Sequence, residues 1–289
     1  MCAGLRSDGS LWGVLVVTRE DVAHAIGQLK LSGKAVELHV SLRSFPRLDG
    51  GPEVLVEAFL DAGCTLLVPT MAPELFAIPA PVDDRPARNG LDYVAEDREG
   101  PRPARTWEVY NAGRTETASW LGATPAYVAA RPDRIRSRFP VGEFSALGPR
   151  AADLMDADTP EDAFGPLRAL VALDGVTLLI GVSLTRLTLL HLAETEAGRR
   201  PFIRWALGPD GRPTRIRTGE CSEGFDRLEI ALRPIETRMT VGASLWRAYP
   251  AVGVVERAVD AIRAEPSITH CPNPACIECA DAIAGGPIE

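Results

Sequence analysis

The feature that most constrains this chain is a pair of short apolar runs with one helix-forming stretch between them. Ala35-Val36-Glu37-Leu38-His39-Val40 alternates as a strand does, and Cys64-Thr65-Leu66-Leu67-Val68-Pro69 reads as a second, buried strand. Between them, Gly50-Gly51-Pro52 opens a helix whose apolar stripe is Val54, Leu55, Ala58 and Phe59. Two strands joined by a crossover helix must run parallel, and the crossover is right-handed. A third apolar run over 176–182 is followed by a helix starting near Thr188. The fold expected is therefore α/β, with a mixed, largely parallel central sheet flanked by helices.

The rest of the chain fills out that plan. Thr18-Arg19-Glu20-Asp21 has the chemistry of a capped helix start, with apolar spacing to about Leu31. A helix is expected from about Thr124 to Ala130, another from Thr159-Pro160-Glu161-Asp162, and a last one over 252–264. Segments 201–207 and 212–218, separated by Asp210-Gly211, read as a hairpin, and a further strand lies near 240–246. Residues 1–10 read as a loose leader. Residues 72–116 differ in composition: six prolines accompany Asp83, Asp84, Asp92, Glu96, Asp97 and Glu99. That stretch is expected to be a lid or insertion over a site. The division expected is a main domain over 1–265, with the lid inside it, and a Cys-rich C-terminal tail over 266–289.

Charge narrows the partners. A net charge of −8 disfavours nucleic acid and anionic membrane surfaces and suits a small cationic amine. No run is long enough to cross a bilayer, so a cytoplasmic protein, monomer or homodimer, is expected. Cysteine use is uneven: Cys2, Cys64 and Cys221 are scattered, whereas Cys271, Cys276 and Cys279 form a C-x4-C-x2-C run. Three thiols so close can share one tetrahedral Zn²⁺ of structural kind, with His270 or a distant cysteine such as Cys221 as the fourth ligand. A metal-free reduced tail fits the same spacing.

His191 stands where the third strand hands over to its helix. Thr188 is a candidate N-cap, which puts His191 in the first turn. The helix dipole there disfavours the imidazolium and favours a ring able to accept a proton. Taken alone, this position fits a half-buried packing histidine at least as well.

Several segments, in order over roughly 30–265, together resemble the aminoglycoside 3-N-acetyltransferase family, the antibiotic N-acetyltransferases outside the GNAT type. His39-Val40-Ser41-Leu42-Arg43-Ser44 with Gly50-Gly51-Pro52 is similar to the family's His-Ser-Ser-Leu-Ser and Gly-Gly-Pro. Val68-Pro69-Thr70 resembles Met-Pro-Thr. Arg136-Ser137-Arg138-Phe139-Pro140 with Phe144-Ser145-Ala146-Leu147-Gly148 resembles Arg-Ser-x-His-Pro and Ser-Phe-x-Ala-x-Gly. Phe164-Gly165-Pro166-Leu167 and the block from Gly181 to Glu194 continue the series. The resemblance implies transfer of an acetyl group from acetyl-CoA to an amine of an aminoglycoside-like acceptor, at its 3-amino group. His191 would be the general base, Glu223 the carboxylate that orients it (with Glu194, at i+3, the competitor), and Thr188 or the Ser41 region a donor to the reacting carbonyl oxygen. Ser41, Leu42, Arg43, Ser44, Thr70, Ser137 and Phe144 would hold CoA, helped by the helix start at Gly50-Gly51. Two departures stand out: Thr185, beside Arg186, replaces an acid of the aminoglycoside-modifying members, and Phe139 replaces a histidine. The lid acids are the expected substitutes for the lost charge. A different biosynthetic amine as acceptor, or a non-catalytic CoA-binding relative, remains compatible with these residues.

Overall fold

A computed structural model describes residues 16–99, 108–208 and 210–289. The leader at 1–10, with Cys2, lies outside them, as does the middle of the lid at 100–107. The strands are β1 (Ala35–Val40), β2 (Thr65–Pro69), β3 (Ala77–Ile78), β4 (Ile135–Arg136), β5 (Phe144–Leu147), β6 (Val176–Ile180), β7 (Phe202–Leu207), β8 (Pro213–Thr218), β9 (Thr237–Val241) and β10 (Ser244–Pro250). Among the described residues, seven of them form one sheet in the order β4-β5-β2-β1-β6-β10-β9, and β3-β7-β8 form a smaller one. Only the three central strands are mutually parallel: β1 pairs with β2 (Val36 beside Leu66) and with β6 (Leu38 beside Leu178). Antiparallel strands close both flanks, so the sheet is mixed with a parallel centre.

Helices cover both faces because the strands alternate. Val36, Leu38, Leu66, Leu178, Ile180 and Trp246 pack on the face covered by α1 (Arg19–Gln28), α2 (Gly51–Asp61) and α5 (Ala123–Ala130). The short helices α3 (Pro73–Phe76) and α4 (Tyr93–Glu99) belong to the proline-rich segment. Leu67, Leu179 and Tyr249 face the other way, against α6 (Ala151–Met155), α7 (Gly165–Ala172), α8 (Leu189–Glu196), the single turn α9 (Glu229–Leu232) and α10 (Ala251–Ala264). Each fully buried Leu, Ile or Val contributes about 1.5–3 kcal/mol. The start of α1 is a capping box between Thr18 and Asp21, as its sequence requires.

Two local expectations fail for identifiable reasons. The helix expected at Thr159 begins only at Gly165. The Thr159 hydroxyl caps a single turn by accepting from the Asp162 N–H (3.2 Å), and the Asp162 carboxylate then accepts the Phe164 N–H (3.0 Å). The strand expected over 240–246 is a hairpin, β9 and β10, turning at Gly242-Ala243, where Gly242 takes φ 61°. Alternation continued through the turn and hid it.

The described parts of the lid and the tail are docked. Asn89 brackets Ile203 of β7, accepting from its N–H and donating to its carbonyl, both at 2.8 Å, and Trp205 donates to Asp84 at 2.7 Å. From the C-terminus, Ile288 accepts from Ala87 N–H at 2.8 Å, and Glu289 pairs with Arg215 and Arg217 of β8. The stretch 266–289, which includes α11 (Ile277–Ile283), is thus part of the folded body.

Candidate active site

The carboxyl ends of β1, β2 and β6 open into a cleft of about 760 Å³, where open α/β sheets place ligands. His39 enters from β1, Pro69 and Met71 from the end of β2, and Thr185 to Thr188 from the turn after β6. Phe144, Trp120 and the end of β8 complete the wall. His191 also lines an adjoining narrower chamber with Glu194, Glu220, Cys221, Glu278 and Cys279. Phe164, Thr218, Gly219 and Glu220 are common to both spaces as well, and His191 is the imidazole among them.

His191 is the third residue of α8, in the first turn. Its Nδ1 lies 2.9 Å from Glu194 Oε2. An ionised carboxylate can only accept, so Nδ1 is the donor of this contact, and in a neutral ring Nε2 would then be the free acceptor. The other oxygen of Glu194 takes Arg199 Nη1 at 2.5 Å, and Arg199 is itself anchored to the Thr269 hydroxyl at 2.7 Å. The ring is clamped between Phe164 (centroids 6.2 Å apart, nearly parallel) and Phe225 (4.8 Å, inclined at 60°). Behind it, Gly219 comes so close that a Cβ there would overlap the imidazole. Imidazole, carboxylate and guanidinium thus form one hydrogen-bonded chain in a fixed orientation.

This geometry corrects the choice of carboxylate. Glu223 is exposed and makes no hydrogen bond to His191 among the described residues; Glu194 is the partner. The loop from Ser222 runs tightly past the chain at 269–270, so close that a Cβ on Gly224 would overlap the Thr269 carbonyl. Phe225, next in the chain, fills the place beside the ring. Spacing of i+3 on one helix needs no such loop to cooperate.

The other expected site residues divide. Thr188 lines the cleft but, with helical φ and ψ, makes no side-chain cap. Phe144 lines the cleft as well. Ser41 precedes the turn Leu42–Ser44, where Arg43 is exposed and Leu42 half-buried. Ser44 hydrogen-bonds to the Ser41 carbonyl (2.7 Å) and to Ser244 (2.6 Å). Thr70 and Ser137 are buried, with hydroxyls bonded to Ser145 (2.9 Å) and to the Phe144 N–H (2.9 Å). Those three hydroxyls are engaged by neighbouring residues, and none of the three lines the cleft.

The lid acids are also spent elsewhere. Asp84 is held by Arg215 and Trp205, Asp97 by Arg85, and both carboxyls lie below their ordinary range because of those hydrogen bonds. Asp92 accepts the Ala95 N–H. None of the five lid acids with described side chains lines the cleft or its side chamber. The acids that do are Glu194, Glu220 and Glu278. Glu220 pairs with Arg204 at 2.5 Å, and burial pushes Glu278 up. Phe139 lines a separate recess with Tyr110, and Arg186 lies over the Trp120 ring at 6.0 Å.

One feature escaped the sequence reading. His39 Nε2 lies 3.0 Å from Glu37 Oε1, and Thr177 donates to Glu37 Oε2 at 2.6 Å, all on the sheet face toward α8. A Glu at a core position of a strand was the available signal, since a buried carboxylate must find partners. Of the two candidates for a fourth ligand, the structure brings Cys221 to the cluster: the sulfurs of Cys221, Cys271, Cys276 and Cys279 all lie within 4.8 Å of one another. His270 is not in that group; its Nδ1 lies 2.8 Å from the Cys271 carbonyl.

The family model described as aminoglycoside 3-N-acetyltransferase matches residues 38–263, and the chain belongs to that family. It is 32% identical over 191 residues to aminoglycoside N(3)-acetyltransferase IX of Micromonospora chalcea, the match covering 64% of each chain. It is 33% identical over 200 residues to aminoglycoside N(3)-acetyltransferase VII of Streptomyces paromomycinus, covering 66% of this chain and 63% of that one. The matches therefore span somewhat under two thirds of those relatives' length. Among solved structures, the fold superposes on aminoglycoside acetyltransferase AAC(3)-Xa with a TM-score of 0.69 at 27% identity, over 86% of this chain and 93% of that one. On AAC(3)-IVa, solved in complex with a gentamicin, the TM-score is 0.71 at 23% identity, over 93% and 97%.

Proposed function

We propose that this chain is an acetyl-CoA-dependent N-acetyltransferase acting on the 3-amino group of an aminoglycoside-like acceptor. The observation that carries this reading is the His191–Glu194–Arg199 relay at the carboxyl ends of the parallel strands. An acceptor amine reaches the enzyme protonated and cannot attack in that form. His191 Nε2 takes that proton while Glu194, fixed by Arg199, steadies the charge that builds on the ring. The freed lone pair attacks the thioester carbonyl, Thr188 donating to its oxygen. The C–S bond breaks as the imidazolium gives its proton to the leaving CoA thiolate, and the nitrogen of the adduct loses its second proton to solvent, leaving the amide, free CoA thiol and one released proton. Acetyl-CoA supplies the activated acyl group. Arg43, exposed at the turn after β1, is placed to meet a phosphate beside the start of α2.

The acceptor reading draws on the relatives' names and on Glu194, Glu220 and Glu278 around the side chamber. Cys221, Cys271, Cys276 and Cys279 would hold a structural Zn²⁺: thiolates about 2.3 Å from one ion sit about 3.8 Å apart, close to the arrangement found. A cytoplasmic location is part of the same reading; no described helix is long and apolar enough to cross a membrane. The test is release of CoA thiol from acetyl-CoA across a panel of deoxystreptamine aminoglycosides and simple amines. Turnover with the aminoglycosides is expected. Turnover confined to other amines moves the acceptor class, and none with any amine makes the chain a non-catalytic relative.

A further inference from the structure

The four-thiol site touches the cleft at two points. Cys221 follows Gly219 and Glu220, and Gly219 is the backbone against which the His191 ring rests. Cys279 lines the side chamber itself, and Glu278, between the ligands Cys276 and Cys279, lines it too, its Cγ packed over Gly90. One wall of that chamber is therefore the end of β8, and the opposite wall is α11. Among the described residues, no backbone hydrogen bond crosses between residues 219–223 and 271–283. The polar link between the two walls is sulfur. Cys271 and Cys279 are buried, and the Cys271 N–H donates to Cys279 Sγ at 3.4 Å, as backbone amides do toward a metal-bound thiolate.

We propose that a Zn²⁺ on Cys221, Cys271, Cys276 and Cys279 is the fastener of the side chamber, holding Glu220 and Glu278 at a fixed span beside His191 and so setting affinity for the amine acceptor. The inference rests on the zinc and acetyltransferase readings above. It assigns the metal a positioning role: it touches neither the acceptor nor the thioester. CoA, held from the β1–α2 side, is outside its reach.

The test uses the intact protein. Metal analysis should return about one zinc per chain. Replacement by Co²⁺ should give the visible and near-ultraviolet bands of a tetrahedral thiolate site, and adding an aminoglycoside should shift them. Zinc is then stripped with a chelator under reducing conditions, folding being checked by circular dichroism. Calorimetry is expected to show aminoglycoside affinity falling tenfold or more while CoA affinity changes less than twofold. Because binding is measured, the result does not depend on turnover. Cys221→His, which keeps a zinc-binding nitrogen, should recover metal and most of the affinity; Cys221→Ser should recover neither. Equal acceptor affinity with and without zinc overturns the fastener and leaves the metal site standing. Two disulfides, or thiols that take up no metal, overturn both.

Discussion

Among the described residues there are two histidine–carboxylate pairs, and they are not equivalent. Both imidazoles are largely buried, His191 at 11% and His39 at 8% side-chain exposure. The carboxylates differ. Glu194 is 14% exposed and bound by Arg199, so a full positive charge compensates it. Glu37 is wholly buried in the sheet, and its second oxygen takes only the Thr177 hydroxyl, a neutral donor. The first pair can gain a proton at Nε2 and keep its geometry. The second is a strut between β1 and β6 whose imidazole reaches the cleft wall. One residue pairing thus stands open to the cleft with a charged third partner in one place and braces two strands with a neutral one in the other, and the proposed base is the first.

The comparison can be broken by mutation. His191→Ala should lower kcat by about 10³-fold, within the range for loss of a general base, with acetyl-CoA binding nearly intact. Near-normal rates of CoA release would end the assignment. Glu194→Gln keeps shape and removes charge, so kcat should fall by about 10²-fold; a Glu223→Gln variant, by contrast, should be near wild type in the same assay. If the two results were reversed, the exposed glutamate would be the true partner. His39→Ala should act mainly on stability, because it strips a partner from a buried carboxylate, at a cost of about 1–3 kcal/mol by thermal or urea melts. A kcat loss as large as that of His191→Ala would make the pairs equals.

A smaller effect sharpens the contrast through a third buried acid. Glu143 has Arg136 at 3.9 Å and no imidazole partner, and burial pushes its carboxyl up to about 7. A folded-state value above the unfolded one favours folding most at low pH. That contribution is lost as pH rises through about 7. Wild-type stability should therefore slope downward between about pH 5 and 8 relative to Glu143→Gln, measured by denaturant midpoints. Parallel curves would show that Arg136 holds Glu143 ionised throughout.

Much of the architecture was legible because it is local. Val36, Leu38, Leu66 and Leu178 alternate or cluster at strand spacing, and Pro52 and the Thr18–Asp21 box mark helix starts. Taking Thr188 as the cap puts His191 in the first turn of its helix, where it lies although Thr188 makes no side-chain cap. The failures arose where one residue type serves two structures. Thr159 and Asp162 carry helix-start chemistry and build a lone turn, and alternation ran on through the Gly242-Ala243 turn. The lid acids looked free because Arg85 and Arg215, which take them up, lie 12 and 131 residues from their partners.

By itself, the sequence determined the α/β plan, the position of His191, the three clustered thiols and, through ordered motifs, the family. Those follow from backbone periodicity and short spacings, which act within a few residues. Only the tertiary structure decided that Glu194 and not Glu223 serves His191, that Glu37 and His39 form a pair braced by Thr177, and that Cys221 completes the thiol cluster. Each depends on which distant segments the packed core brings together, and on how closely Gly219 and Gly224 let backbone approach. Burial then sets what the assembled groups can do, since a carboxylate taken out of water is governed by the partners that remain within hydrogen-bond reach.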